Sequence, residues 1–198
     1  MNKYILYVAD CETTGLDPIK HDVIELSVYR LLDDQQKTWC IKPTNLETID
    51  LGALRVNKHK IEDLRWETKI GRDTYHDAAE VLIEIENWIA EDNVAAAQRV
   101  LVGANTGFDK GMLDQLWTKC NSAESFPFGR RYLDIQQIEF FLNMCQGDML
   151  ESYSLANIIK KYGIKNDKSH TAASDTLATK EVLEKQVEFF KKVLVRGL

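Results

Sequence analysis

Apolar positions in the first part of the chain gather in runs of strand length. Tyr4 to Ala9 is one such β-prone run. Asp22 to Leu32, with Val23, Ile24, Leu26, Val28 and Tyr29, is a second, and Thr38 to Ile41 a third. The turn signal Leu16-Asp17-Pro18 separates the first two, which predicts an antiparallel meander. The period then changes. Between Asp73 and Ile89, Val81, Leu82, Ile85, Trp88 and Ile89 recur at helical spacing, with Asp73 as the expected N-cap. A short strand follows at Val100 to Ala104, then a helix over Phe108 to Cys120 with Met112, Leu113, Leu116 and Trp117 on one face. Tyr132 to Ile135 reads as a strand leading into a helix. Ser154 to Tyr162 reads as a helix closed by Gly163, and Ala172 to about Leu194 as a long last helix. Residues 43–72 give no usable period. The order β-β-β-α-β-α-β-α-α-α predicts an α/β fold: a mixed sheet flanked by helices.

The remaining bulk properties narrow the class. The chain has 198 residues, 44% hydrophobic and 28% charged, with three prolines and no linker-like stretch, so one domain over 1–198 is expected. The apolar stretch before Asp10 is too short for a signal peptide, and no apolar run approaches the roughly 20 residues that span a bilayer. Cys11, Cys40, Cys120 and Cys145 form no C-x-x-C pair, which argues against zinc and for a reduced, cytoplasmic protein. The net charge is −6 and unevenly spread: nine Lys/Arg face six Asp/Glu from residue 151 onward, sixteen face twenty-five before it. Such an acidic body does not suit a passive nucleic-acid binder. It suits a site that places cations between itself and a phosphate.

Three segments carry candidate chemistry. Asp10 and Glu12 form an Asp-x-Glu pair; on a strand, residues two apart point to one side, and two acids there repel unless a cation bridges them. Thr13, Thr14, Gly15 and Leu16 follow, small polar groups and a glycine that let a backbone approach a terminal sugar or phosphate. Asn105-Thr106-Gly107-Phe108-Asp109 opens a helix, with Asn105 as candidate N-cap and Asp109 in the first turn, where a negative charge is favoured. Taken alone, this segment reads as ordinary capping. In His170-Thr171-Ala172-Ala173-Ser174-Asp175, a continuous helix would set His170 and Asp175 roughly 140° apart. His170 is therefore expected in the preceding loop. Asp175 is expected inside the helix among small residues, where an acid is costly unless paired or metal-bound.

Together the three segments resemble the DEDD superfamily of 3′–5′ exonucleases. The subgroup is the one with His-x4-Asp spacing, which includes the proofreading subunit of bacterial DNA polymerase III and ribonuclease T. The likeness continues through Val23-Ile24-Glu25-Leu26, the Ile49 to Leu64 segment and Leu155 to Gly163. It departs at Gly52, where many proofreading relatives carry Glu, and at Asn57, where His is common. The resemblance implies a ribonuclease H-like fold and two Mg²⁺ or Mn²⁺ ions held by Asp10, Glu12, Asp109 and Asp175. It implies His170 as general base, and contacts to the last nucleotide from Thr13, Thr14, Gly15, Leu16, Asn57 and Asn105. The expected substrate is the 3′ end of single-stranded DNA or, alternatively, RNA. A catalytically dead nucleic-acid-binding module would lack one of the acids, and all are present. A polymerase or a second copy of the chain is the expected kind of partner.

Overall fold

The computed structural model describes residues 4–120 and 126–196. Five strands, β1 (Ile5–Thr13), β2 (Val23–Arg30), β3 (Gln35–Cys40), β4 (Arg99–Gly103) and β5 (Tyr132–Asp134), form one sheet in the order β3-β2-β1-β4-β5. The β1–β2 and β2–β3 pairs are antiparallel, and β1–β4 and β4–β5 are parallel. The mixed sheet is thus the expected one, with β1 at its centre.

Seven α-helices accompany it among the described residues: α1 (Leu51–Asn57), α2 (Lys69–Thr74), α3 (Ala78–Ala90), α4 (Thr106–Lys119), α5 (Ile135–Gln146), α6 (Leu155–Tyr162) and α7 (Ala172–Arg196). Strand alternation assigns them to faces. Tyr7, Ala9, Cys11 and Leu101 point into a core built with Leu82, Ile85 and Trp88 of α3 and Met112, Leu113 and Leu116 of α4. Val8 and Val102 point the other way, onto Ile158 of α6 and Val182 and Leu183 of α7. A smaller cluster of Ile24, Leu54, Leu64 and Tyr75 seats α1 beside β2. No helix among the described residues is long and apolar enough to cross a membrane.

The structure corrects four local expectations. β1 continues past Ala9 to Thr13, so both acids of the Asp-x-Glu pair lie within the strand. β3 is Gln35–Cys40 instead of Thr38 to Ile41. Its polar start is an edge, where Gln36 reaches Ser27 and the Ala173 carbonyl, and Ile41 makes only an isolated bridge to His76. That bridge holds His76 extended, so α3 starts after Asp77, whose carboxylate accepts from Ala79 N at 2.9 Å; Asp73 belongs to α2. Residues 43–72 contain α1 and the start of α2. These helices have seven and six residues, too few for a period to emerge, and are stabilised by Asp50 and Thr68 as N-caps.

Candidate active site

Asp10 and Glu12 share the face of β1 that carries Val8, the face that α7 covers. The start of α7 comes close because its inward residues are small: Ala172, Thr176, Ala178 and Thr179 are buried. Thr176 Oγ1 donates to the Ser27 carbonyl at 3.3 Å, and Gln36 Nε2 donates to the Ala173 carbonyl at 2.8 Å, fixing this end of the helix over the sheet. Asp175, in the first turn, thereby meets the strand acids. One carboxylate oxygen from each of Asp10, Glu12 and Asp175 lies within 4.8 Å of the others, and all three side chains keep partial exposure. Both Asp175 oxygens are also held by the preceding loop. Asn166 Nδ2 donates to Oδ1 at 2.5 Å, and the His170 backbone N–H donates to Oδ2 at 3.1 Å.

Asp109 approaches from the opposite face of the sheet, on α4. It is buried, and its Oδ1 accepts from the Cys11 backbone N–H at 3.1 Å and from the Cys11 thiol at 3.2 Å. It is not a member of the close three-carboxylate group. It stays electrostatically linked to that group, because burial and then the neighbouring Asp109 and Glu12 push Asp10 well above the usual carboxylate range. Burial, then Asp175 and Glu25, push Glu12 up to about 7. Burial pushes Asp109 to about 7 as well, with the two Cys11 hydrogen bonds acting in the opposite sense. Acids that repel one another this strongly keep protons or take a cation. Every donor in the group is a carboxylate oxygen, a set that fits a hard divalent cation.

The other expected residues divide. His170 is exposed in the loop before α7, as expected, in left-handed backbone (φ 65°). Leu16 is 76% exposed. Thr13 and Thr14 are buried and their hydroxyls serve the turn: Thr13 Oγ1 donates to the Gly15 carbonyl at 2.7 Å, and Thr14 Oγ1 accepts from Asp22 N at 2.9 Å. Gly15 is required for an internal reason, since a Cβ there would stand 2.5 Å from the His21 ring. Asn57 is buried and donates to the Thr13 carbonyl at 3.0 Å, tying α1 to the end of β1. Asn105 does not cap α4 through its side chain. It is exposed with φ 69°, and Asp134 supplies the cap instead, accepting from Thr106 N at 3.1 Å.

Sequence reasoning missed Glu25 and His59. Glu25 pairs in register with Glu12 across β1 and β2, and its Oε2 lies 3.2 Å from His59 Nε2. His59 Nδ1 lies 2.6 Å from the Tyr75 hydroxyl. The His59 ring eases the burden on Glu12 that Glu25 adds. The available signal was an acid in the middle of the apolar run Val23-Ile24-Glu25-Leu26, which burial obliges to find a partner.

Residues 7–183 match the RNase_T exonuclease family model. The PolC-type DNA polymerase III of Thermotoga maritima is 28% identical over 195 residues, 96% of this chain and 12% of that protein. The Staphylococcus aureus (strain MW2) counterpart is 27% identical over 191 residues, 94% of this chain and again 12% of that protein. The chain therefore spans about an eighth of these relatives. Among solved structures, the zinc-bound complex of Escherichia coli exonuclease I with single-stranded DNA superposes with TM-score 0.72 at 15% identity, over 92% of this chain and 40% of that one. Cell-death related nuclease 4 gives TM-score 0.73 at 16% identity, over 93% and 64%. Both structural likenesses speak to the fold. The family match covers most of the chain, and the sheet has the ribonuclease H-like form expected of it: the chain belongs to the RNase_T exonuclease family.

Proposed function

We propose that this chain shortens single-stranded DNA from its 3′ end and releases nucleoside 5′-monophosphates. The observation that carries the reading is the grouping of Asp10, Glu12 and Asp175 within 4.8 Å, from a strand and a helix 165 positions apart at their extremes. DNA is favoured because the relatives are DNA polymerases and exonuclease I was crystallised with single-stranded DNA and with a dT13 oligonucleotide. The same relatives make a DNA polymerase the partner to test first.

Asp10, Glu12, Asp109 and Asp175 would hold two Mg²⁺ or Mn²⁺ ions. When bound, these would acidify the attacking water and neutralise charge at the phosphate. His170, exposed in the loop before α7, takes the proton of that water on its imidazole. The bond broken joins phosphorus to the 3′ oxygen of the penultimate nucleotide, and that oxygen is protonated from solvent. Leu16 offers an exposed apolar surface to the last base. The backbone of Thr13, Thr14 and Gly15, braced by Asn57, borders the terminal sugar, and Asn105 faces the strand at the start of α4.

The test is digestion of matched 5′-labelled single-stranded DNA and RNA with Mg²⁺, with Mn²⁺ and with EDTA, using Asp10→Ala as control. The expected result is a metal-dependent ladder shortening from the 3′ end, faster on DNA, and absent in the variant. No shortening with either metal overturns the activity; faster loss of RNA replaces the substrate.

A further inference from the structure

We infer that Lys58 is a positioning residue for the reaction, a tether that holds the His170 loop against the carboxylate group. The inference rests on the reading of His170 as general base. Lys58 is the residue that ends α1, and it sits in left-handed backbone (φ 64°, ψ 11°). Glycine adopts that conformation freely and lysine does not. Its side chain reaches across the site: Lys58 Nζ donates to the Ser169 carbonyl at 2.7 Å, a contact between residues 111 positions apart. Among the described residues Lys58 pairs with no carboxylate, and its ammonium is directed at this carbonyl.

The position of that contact gives it significance. Ser169 directly precedes His170, which is also left-handed and whose N–H is spent on Asp175 Oδ2. The loop's other side-chain anchors, Asn166 on Asp175, the Ser174 hydroxyl on Asn166 and Thr171 Oγ1 on the Lys168 carbonyl, all lie within the loop and the first turn of α7. Among the described side-chain hydrogen bonds of the loop, the one from Lys58 comes from outside it. It connects the loop to α1, and α1 is fixed to the end of β1 by Asn57 on the Thr13 carbonyl and by Asp50 N–H on the Thr14 carbonyl. The base and the strand acids are thus joined through one ammonium. Misplacing a reacting group by about 1 Å can cost up to roughly a hundredfold in rate, so a single tether at this point matters for turnover even though its effect on folding is small.

Three variants of the full chain separate the explanations. Lys58→Met keeps the stem and the strained backbone and removes the donor. Lys58→Gly removes the donor and relieves the backbone. Lys58→Arg keeps a donor long enough to reach. Amide hydrogen exchange in the peptide covering Ser169 and His170, thermal midpoint, and kcat and KM on 5′-labelled single-stranded DNA are measured for each. In Met and Gly, exchange at Ser169–His170 is expected to quicken and kcat to fall roughly tenfold, with KM within about twofold. The midpoint of the Gly variant holds or rises, which excludes unfolding as the cause, and Arg restores exchange and most of kcat. Unchanged exchange in the Met variant overturns the tether, whatever the activity. A rise in KM with kcat intact also overturns it, and assigns Lys58 to the substrate phosphates instead. A wild-type chain without exonuclease activity defeats the functional reading separately, because the exchange experiment needs no turnover.

Discussion

Cys11 and Asp109 are 98 positions apart and meet at one carboxylate oxygen, which accepts both the backbone N–H and the thiol of the cysteine. The contact explains why the fourth acid stands outside the close group of three: Cys11 faces the α4 side of β1, while Asp10 and Glu12 face the α7 side. It also leads to a prediction. Cys11→Ser keeps a donor on Asp109, whereas Cys11→Ala removes one and leaves a small void. The alanine variant is expected to lose about 1 kcal/mol and to need several-fold more Mg²⁺ for half-maximal rate, with serine close to wild type. Thermal melts and Mg²⁺ titrations of the rate check this; equal behaviour of the two variants removes the thiol from the site.

Asp10 and Glu12 oppose folding when no cation is present, because burial and the neighbouring acids disfavour their charged forms. Asp10→Asn is therefore expected to raise the melting temperature in EDTA while lowering turnover by at least about a thousandfold. Stability and activity should move in opposite directions. A variant that melts lower in EDTA, or retains turnover, contradicts the assignment.

His170 is exposed, so truncating its side chain removes little buried surface. His170→Ala is expected to lose roughly 10²–10⁴ in kcat, the usual range for a removed general base, with little change in KM. Single-turnover rates alongside competition binding separate the two. Because the backbone there is left-handed, His170→Gly should match the alanine variant in rate and equal or exceed it in melting temperature.

Strands, long helices and the three acidic segments were legible because each has a local signature: alternation, a 3.6-residue period, or acids where apolar residues are expected. The Asp-x-Glu pair could be placed on one face from its spacing alone. What stayed hidden was set by contacts between distant segments. Thr13 and Thr14 look like free hydroxyls in the sequence, yet Gly15 and Asp22 absorb them. Asn105 looks like a cap, but Asp134, 29 positions on, does that work through Thr106. Asp73 loses the start of α3 to Asp77 because Ile41 captures His76 in a bridge. The partnership of Glu25 with His59 depends on how α1 and the segment after it fold back over β2, in a stretch with no period to read.

The raised carboxyls fix the direction of a pH effect. In the unfolded chain Glu12 loses its proton near the ordinary value, about 4.3, and Asp109 near 3.9. In the folded, metal-free protein both hold it to about 7. Between these limits the native state binds more protons than the unfolded state, so stability falls as pH rises and levels off above about 7. Below about pH 4 the acids are protonated in both states and add nothing to the slope. The melting temperature in EDTA should therefore drop from pH 5 to pH 8, by about 4 °C or more. Saturating Mg²⁺ should flatten the decline, since bound cations replace the protons that high pH removes. Glu12→Gln should flatten it partly without metal. Melting curves at half-unit pH steps, with EDTA and with Mg²⁺, distinguish the cases. A metal-free midpoint that rises from pH 5 to pH 8 would mean that the three acids are not crowded in solution as they are here, and that the carboxylate group is not assembled before the cation arrives.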